Sequence, residues 1–380
     1  MHTKKLRSAF VSSPLAGASS SGYRLPNSNH TIEGYVSHVT IQATENKSSL
    51  SEPSLSEIAR EAAKARRAIP EGVVESFWTG PSGPEPLRRI DWPTAARGGA
   101  EVRGSILFLP GRGDAYEKWL ETLEQWYLEG WTVSSIDWRG QALSGRFGFD
   151  ATTGHVPGFD LWIEDLAAFW RDWAAERPGP HVLVGHSMGG HLALRAVAQG
   201  RVGPDALVLS APMLGIHPAR VPAGLLHAIA GGIVRLGDSR RPAWKHSEKP
   251  ELLPQARSRL LTHDKGRYAD EDWWRNRRPG IAMGPASWGW IERALASIRL
   301  LDGKGMLEAV QVPVLLLATR YDGLVSWPAI RRAARRLPHA ELLAFGHEAR
   351  HEILRESDPV RDRALAAIRD FLNRTAPVRG

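Results

Sequence analysis

The run HVLVGHSMGGH, residues His181–His191, decides how the rest of the chain is read. Val182, Leu183 and Val184 form a short apolar stretch without polar alternation, the pattern of a strand covered on both faces. The stretch stops at Gly185-His186-Ser187-Met188-Gly189, and a helix-like run, Met188–Ala198, follows at once. A strand that turns into a helix with almost no linker strains its central residue, and flanking side chains larger than hydrogen strike neighbouring elements. The two glycines of G-x-S-x-G answer that need, and the turn lifts Ser187 into the open. Its hydroxyl then sits at a helix N-terminus, where unpaired N–H groups and the helix dipole favour a negatively charged oxygen. A chance G-x-S-x-G in a chain with 37 glycines would lack the strand before it and the helix after it, so Ser187 is expected to be a nucleophile.

Composition narrows the setting. At 380 residues the chain is long for one domain and short for three, which predicts one large core with an inserted piece. A hydrophobic content of 42% is ordinary for a soluble globule, and no apolar run approaches the roughly 20 residues that span a bilayer. The absence of cysteine excludes disulfides, thiol nucleophiles and cysteine-built zinc sites, and points to a reducing, cytoplasmic compartment. A net charge of +8 suits solubility or contact with anionic surfaces. No basic helix, zinc spacing or aromatic RNA-binding motif accompanies it, so nucleic acid is not an expected partner.

Outward from the elbow, the chain alternates. Residues 1–54 are rich in Ser, Asn and Thr, lack sustained periodicity and hold no acidic residue before Glu33, and are expected to be a disordered tail. Ser12, Ser13 and Pro14 interrupt the apolar centre that a secretory leader needs, so export is not expected. A helix over Leu55–Ala68 and strands over Val74–Trp78 and Leu87–Trp92 come next. Gly104–Leu109 reads as a buried strand that runs into the glycine-rich turn Pro110-Gly111-Arg112-Gly113-Asp114. Helix Ala115–Leu128, strand Thr132–Asp137, a structural loop over Trp138–Gly145 and helix Phe159–Ala175 lead to the elbow.

Beyond the elbow, Ala206–Ser210 is another buried strand, after which alternation lapses for about a hundred residues rich in Pro, Arg and Trp. Residues 213–307 are therefore expected to be a mainly helical cap, inserted into a core made of 55–212 and 308–380. Within it, Pro222–Gly237 is apolar except at His227 and Arg235, suited to lining a greasy pocket or touching a lipid surface. Leu225, Ile229, Trp288 and Trp290 are candidate substrate contacts on that basis, with packing of the cap as the competing use, which Trp273 and Trp274 share. Strands at Val312–Ala318 and Leu342–Phe345 and a helix over Asp358–Phe371 close the chain. Eight strand candidates, mostly alternating with helices, predict an α/β fold with a mostly parallel, doubly wound sheet flanked by helices.

A serine hydroxyl is almost wholly protonated at neutral pH, so attack on a carbonyl needs a base in hydrogen-bond reach and an acid to fix that base's tautomer. Asp322 follows one predicted strand and His351 follows another, at the edge where a parallel sheet presents reactive groups. The chain order Ser187, Asp322, His351 is nucleophile, acid, histidine. His347 shares the last loop and is the rival base, and Asp302 is the rival acid, although it follows cap-like sequence. The N–H groups of Met188, after the serine, and Arg112, in the glycine-rich turn, are the expected oxyanion donors. The chemistry requires no metal or organic cofactor.

With those residues placed, the chain resembles the lysophospholipase and monoacylglycerol lipase branch of the α/β-hydrolases, also grouped as serine aminopeptidase-like hydrolases. Gly111-Arg112-Gly113-Asp114 with Lys118 is similar to the lysophospholipase oxyanion loop, and Asp137–Gly145 to the family's D-x-R-G-x-G-x-S-G. Leu261-Thr262-His263-Asp264 with Arg267-Tyr268 resembles L-T-x-D-x-x-R-Y, and Gly284–Trp290 resembles G-x-P-T-x-x-W. His351-Glu352-Ile353-Leu354 with Glu356 matches H-E-I-L-x-E, which carries the family's catalytic histidine and favours His351 over His347. Two positions depart: Pro110 stands where many monoacylglycerol lipases have histidine, and Ala142 replaces a loop glycine. The resemblance implies hydrolysis of a small lipid-like ester such as a lysophospholipid or monoacylglycerol. An aminopeptidase of the same fold is the rival, needing cap carboxylates such as Asp264, Asp270, Glu271 or Asp272 to bind an amine. A non-catalytic, ligand-sensing homologue is a third reading, which the complete set of triad candidates disfavours.

Overall fold

Leu, Val and Ile runs without polar interruption build the centre of the sheet. In the computed structural model, which describes residues 54–93, 102–216, 223–244 and 254–378, the strands are β1 (Val74–Trp78), β2 (Leu87–Asp91), β3 (Gly104–Leu109), β4 (Trp131–Ile136), β5 (His181–His186), β6 (Ala206–Ser210), β7 (Val314–Thr319) and β8 (Ala340–Phe345). Their order across the eight-stranded sheet is β1-β2-β4-β3-β5-β6-β7-β8. β1–β2 and β2–β4 pair antiparallel, and every later pairing is parallel. The helices are α1 (Leu55–Arg66), α2 (Leu120–Leu128), α3 (Phe159–Glu176), α4 (Met188–Ala198), α5 (Ala223–Leu236), α6 (Pro254–Leu261), α7 (Lys265–Arg277), α8 (Trp288–Leu301), α9 (Trp327–Arg336) and α10 (Asp358–Thr375). The chain divides into units Met1–Glu52 and Pro53–Gly380, and every described residue lies in the second. Apart from Ser54, which caps α1, the tail expected over 1–54 lies outside the described residues.

Alternate residues of each central strand serve opposite layers. Ile106 and Phe108 of β3, Val182 and Val184 of β5, and Leu315 and Leu317 of β7 pack with Leu120 and Leu123 of α2 and Leu365 and Ile368 of α10. Leu107, Leu109, Leu183, Leu207, Leu209 and Leu316 pack on the other side with Trp162 and Phe169 of α3 and Leu192 of α4. Both faces being dry, period-two polarity has no role, and the strands read as continuous apolar runs.

The helix expected over Ala115–Leu128 instead opens as a 3₁₀ turn, Tyr116–Trp119, before α2 begins. That turn buries Tyr116, Glu117, Lys118 and Trp119 together. β7 starts at Val314, two residues later than the apolar run, since Pro313 has no N–H for the ladder. Between β6 and β7 the chain inserts α5 to α8. Arg267 of α7 fastens this helical region to the core by bonds of 2.7 Å to each of Glu121, Asp358 and the Glu356 carbonyl. Among the described residues no helix is long and apolar enough to cross a membrane.

Candidate active site

Ser187 links β5 to α4 at φ 52 and ψ −114, a conformation that L residues rarely adopt. Three bonds hold it: its N–H donates to the Ser210 carbonyl (2.9 Å), and its own carbonyl accepts from His191 (3.0 Å) and Met213 (2.9 Å). A Cβ at Gly185 would sit 2.6 Å from the Cα of Gly190, and one at Gly189 would sit 2.5 Å from the Pro110 carbonyl oxygen. Both flanking positions therefore exclude any side chain, as the turn requires.

Parallel pairing delivers the loops after β3, β5, β7 and β8 to the same sheet edge. There His351 Nε2 lies 2.9 Å from Ser187 Oγ, and His351 Nδ1 lies 2.8 Å from Asp322 Oδ2. The other Asp322 oxygen accepts the N–H groups of Leu324 (2.7 Å) and Val325 (3.0 Å), which fixes the carboxylate in place. Burial disfavours charge on both partners, but their mutual attraction outweighs it, lowering the Asp322 pKa and raising that of His351. His186, wholly buried with its ring centroid 4.9 Å from that of His351, has its pKa pushed well down by burial and by His351, and stays neutral. The rivals lie elsewhere: His347 is exposed and stacked on Tyr321, and Asp302 pairs with Arg336 at the surface.

Against the serine lies the turn after β3. A Cβ on Gly111 would come within 3.2 Å of the Ser187 Cβ. Gly111 N–H donates to Asp114 (3.1 Å), Gly113 N–H to Gln141 (2.7 Å), and Trp138 Nε1 to the Pro110 carbonyl (2.8 Å). The Trp138–Gly145 loop thus buttresses this turn, and Arg139 anchors the loop through a two-point bond to Asp165 (2.7 and 2.9 Å). Ala142, standing where the resembled family has glycine, adopts φ 44, a region in which glycine carries no steric penalty. Met188 opens α4, and Arg112 lies between Gly111 and Gly113.

Of the candidate substrate contacts, Trp290 is buried against Phe159, with the Arg112 guanidinium 5.2 Å from its ring centroid. Trp288 is half-buried at the start of α8, whereas Leu225 (53%) and Ile229 (43%) stay exposed on α5. Sequence reasoning missed a buried ionic cluster beside the site, formed by Lys118, Asp114, Glu271 and Glu352. Its signals in the sequence are the i, i+4 spacing of Asp114 and Lys118 and the family-like motifs that hold Asp114, Lys118 and Glu352, none of which shows that they meet. Among the described residues no group of three or more His, Asp or Glu is arranged to hold a metal ion.

Comparison with known proteins agrees with this architecture. Residues 100–358 match the family model described as serine aminopeptidase, S33. The chain is 32% identical over 284 residues to lysophospholipase L2 of Escherichia coli strain K12, covering 71% of this chain and 80% of that protein. It is 27% identical over 283 residues to the probable lysophospholipase L2 of Haemophilus influenzae, covering 72% and 84%. A soluble variant of monoglyceride lipase from Saccharomyces cerevisiae, solved with a substrate analogue, superposes with a TM-score of 0.63 at 17% identity, over 80% of this chain and 96% of that one, a likeness of fold. The chain therefore belongs to the serine aminopeptidase S33 family of α/β-hydrolases, as a serine hydrolase of carboxylic esters in its lysophospholipase-like branch.

Proposed function

We propose that this protein hydrolyses lysophospholipids, monoacylglycerols or kindred single-chain lipid esters through an acyl-enzyme formed on Ser187. The observation that carries the reading is the unbroken relay from Ser187 Oγ through His351 to Asp322, at 2.9 and 2.8 Å. His351 takes the hydroxyl proton as Ser187 Oγ attacks the ester carbonyl, and returns it to the departing alcohol. Water then repeats the sequence, with the acyl carbon as its target and Ser187 as the leaving group. Asp322 holds the imidazole in one tautomer and stabilises its charged form. The N–H groups of Met188 and Arg112 hold the oxyanion, a role in which losing one donor costs about 10² to 10³ in rate.

Residues 213–307 serve as the cap over this chemistry, between core segments 55–212 and 308–380. α8 packs on both α5 and α4, which supports an acyl-chain path along Trp288, Trp290, Leu225 and Ile229. The exposed apolar positions of α5, Leu225, Ile229 and the 92% exposed Leu236, support contact with a lipid surface. A reducing, cytoplasmic setting accords with the lack of cysteine. Aminopeptidase activity is disfavoured by what the cap carboxylates already do. Asp264 binds Arg267, Asp270 binds Arg66 and Arg67, and Glu271 is buried among Lys118, Arg257 and Arg275, which leaves half-buried Asp272 as the one carboxylate of the four able to hold a substrate amine.

The test is a panel of p-nitrophenyl esters of rising acyl length, lysophosphatidylcholine, monoacylglycerol and aminoacyl p-nitroanilides. Ester turnover that vanishes in Ser187→Ala and His351→Ala is expected. Cleavage of anilides alone would move the assignment to the peptidase.

A further inference from the structure

One lysine beside the site is surrounded by three buried carboxylates. Lys118 Nζ lies 2.7 Å from Asp114, 2.5 Å from Glu352 and 3.1 Å from Glu271, and all four side chains are 5% exposed or less. Each carboxylate comes from a different part of the machinery. Asp114 also accepts the N–H of Gly111, in the turn that lies against Ser187. Glu352 directly follows His351 and is bonded by Arg355 as well. Glu271 belongs to α7 of the inserted helical region, where Arg257 (2.8 Å) and Arg275 (2.7 Å) also pair with it, and Arg355 of the core lies 3.9 Å away. A second link joins the same two parts: Arg112 Nη2 donates to the Gly284 carbonyl (2.7 Å), and its guanidinium rests 5.2 Å from the Trp290 ring centroid.

Burial of this many ions is a poor way to gain stability, because well-packed apolar groups of similar volume often do as well or better. Burial alone would also strip Lys118 of its charge. Asp114, Glu271 and Glu352 more than compensate, so its pKa is raised and it remains an ammonium with fixed, directional partners. What such a cluster supplies is position. The oxyanion-side turn is bonded to the insertion by two routes, Asp114–Lys118–Glu271 and Arg112–Gly284, and to the segment after His351 through Lys118–Glu352.

Resting on the reading of Ser187 as nucleophile and of the Arg112 N–H as an oxyanion donor, we propose that Lys118 and the Arg112 side chain are positioning residues: they tie the inserted helical region to the oxyanion turn and hold its N–H on target. The tie acts on the transition state, in which the oxyanion exists, and leaves ground-state binding largely alone.

Lys118→Met strands three buried carboxylates and threatens folding, so Glu271→Gln and Arg112→Met carry the test. Arg112→Met keeps the backbone N–H, and Glu271→Gln keeps the shape while removing the charge on the insertion side. The measurement is kcat and KM on a p-nitrophenyl ester per active site titrated with a fluorophosphonate, together with the inhibition constant of an alkyl boronic acid, whose serine adduct mimics the tetrahedral intermediate. Each variant is expected to lose about tenfold or more in kcat per titrated site, a fraction of what deleting a donor costs, and to weaken the boronic acid by a similar factor with KM nearly unchanged. Arg112→Lys, which restores a donor and a cation, is expected to recover most of the loss. Wild-type kcat per titrated site in both variants, or a loss confined to the titratable fraction, overturns the proposal while Ser187→Ala remains inactive. Full turnover in Ser187→Ala brings down the nucleophile reading instead, and the proposal with it.

Discussion

Replacing Gly189 by alanine probes how tightly the elbow and the turn after β3, the proposed oxyanion turn, are built against each other. The new Cβ would strike the Leu109 carbonyl oxygen first and stand 2.5 Å from the Pro110 carbonyl oxygen and 2.8 Å from the Leu109 carbonyl carbon, all backbone atoms at the end of β3 that no rotamer change can move. Overpacking of this kind costs about 1–3 kcal/mol, and with three backbone atoms in the way the upper end applies. Relief requires the Pro110–Arg112 segment to retreat from Ser187, so the proposed oxyanion donor retreats with it and activity falls toward the roughly 10²–10³-fold loss of a deleted donor. Two other glycines calibrate the result. Gly190→Ala meets its first obstacle at 2.9 Å and its next at 3.2 Å, and should cost less, whereas Gly203→Ala meets nothing within 4 Å and should cost nothing measurable. Urea midpoints at unchanged slope, with kcat/KM on p-nitrophenyl butyrate, report both quantities. A Gly189→Ala protein with wild-type midpoint and wild-type kcat/KM would refute the packing argument.

Asp322→Asn is expected to lower kcat by about 10⁴ with KM held, since the histidine then loses its correct tautomer, and steady-state kinetics decide it. His347→Ala should stay within about twofold of wild type, as an exposed side chain outside the relay; a loss like that of His351→Ala would show a shared role. Because folding raises the His351 pKa above 6.5, the acid limb of the kcat/KM profile should have its midpoint above that value. The stabilisation from the charged His351 is complete below pH 6.5 and lost as pH rises through the folded pKa, so Asp322→Asn should cost more stability at pH 6 than at pH 9. His155 and His191 behave oppositely: burial holds them at about 4 and about 3, so the unfolded chain takes up protons below pH 6.5 that the fold refuses. Stability should fall between pH 6.5 and 4 by up to about 1.4 kcal/mol per pH unit for His191 and by less for the better-solvated His155, read as denaturant midpoints, and a flat response would contradict the buried neutral assignment.

How much of this was legible in the sequence depends on how local each cause is. The central strands declare themselves because a two-sided dry environment removes all polar alternation, as in Leu107 to Leu109 and Val314 to Ala318. Ser187 is legible because its strain is met by glycines immediately beside it. Asp322 and His351 are visible as polar residues just past apolar strands, although their meeting at 2.8 Å depends on strands β7 and β8 pairing in parallel. The Lys118 cluster is not legible in this way: the motif that resembles the lysophospholipase oxyanion loop marks Asp114 and Lys118, but Glu271 and Glu352 are brought to them from distant stretches. The same holds for the inserted region. Asp264 and Ser287 look like ordinary polar residues in an irregular stretch, yet Asp264 caps α7 and binds Arg267, and Ser287 caps α8 while bonding His155 at 2.7 Å. Asp264 orders the insertion internally, whereas Ser287 joins it to the core, and only the distant partner His155 reveals that second role.

A fluorophosphonate ester labels a serine only when a neighbouring base has made it reactive, so the site of its adduct on the intact protein is the most direct measurement. Peptide mapping should place a single adduct on Ser187, absent from His351→Ala and accompanied by loss of ester turnover in proportion to labelling. An adduct on any other residue, or undiminished turnover once Ser187 is fully modified, would contradict the mechanism.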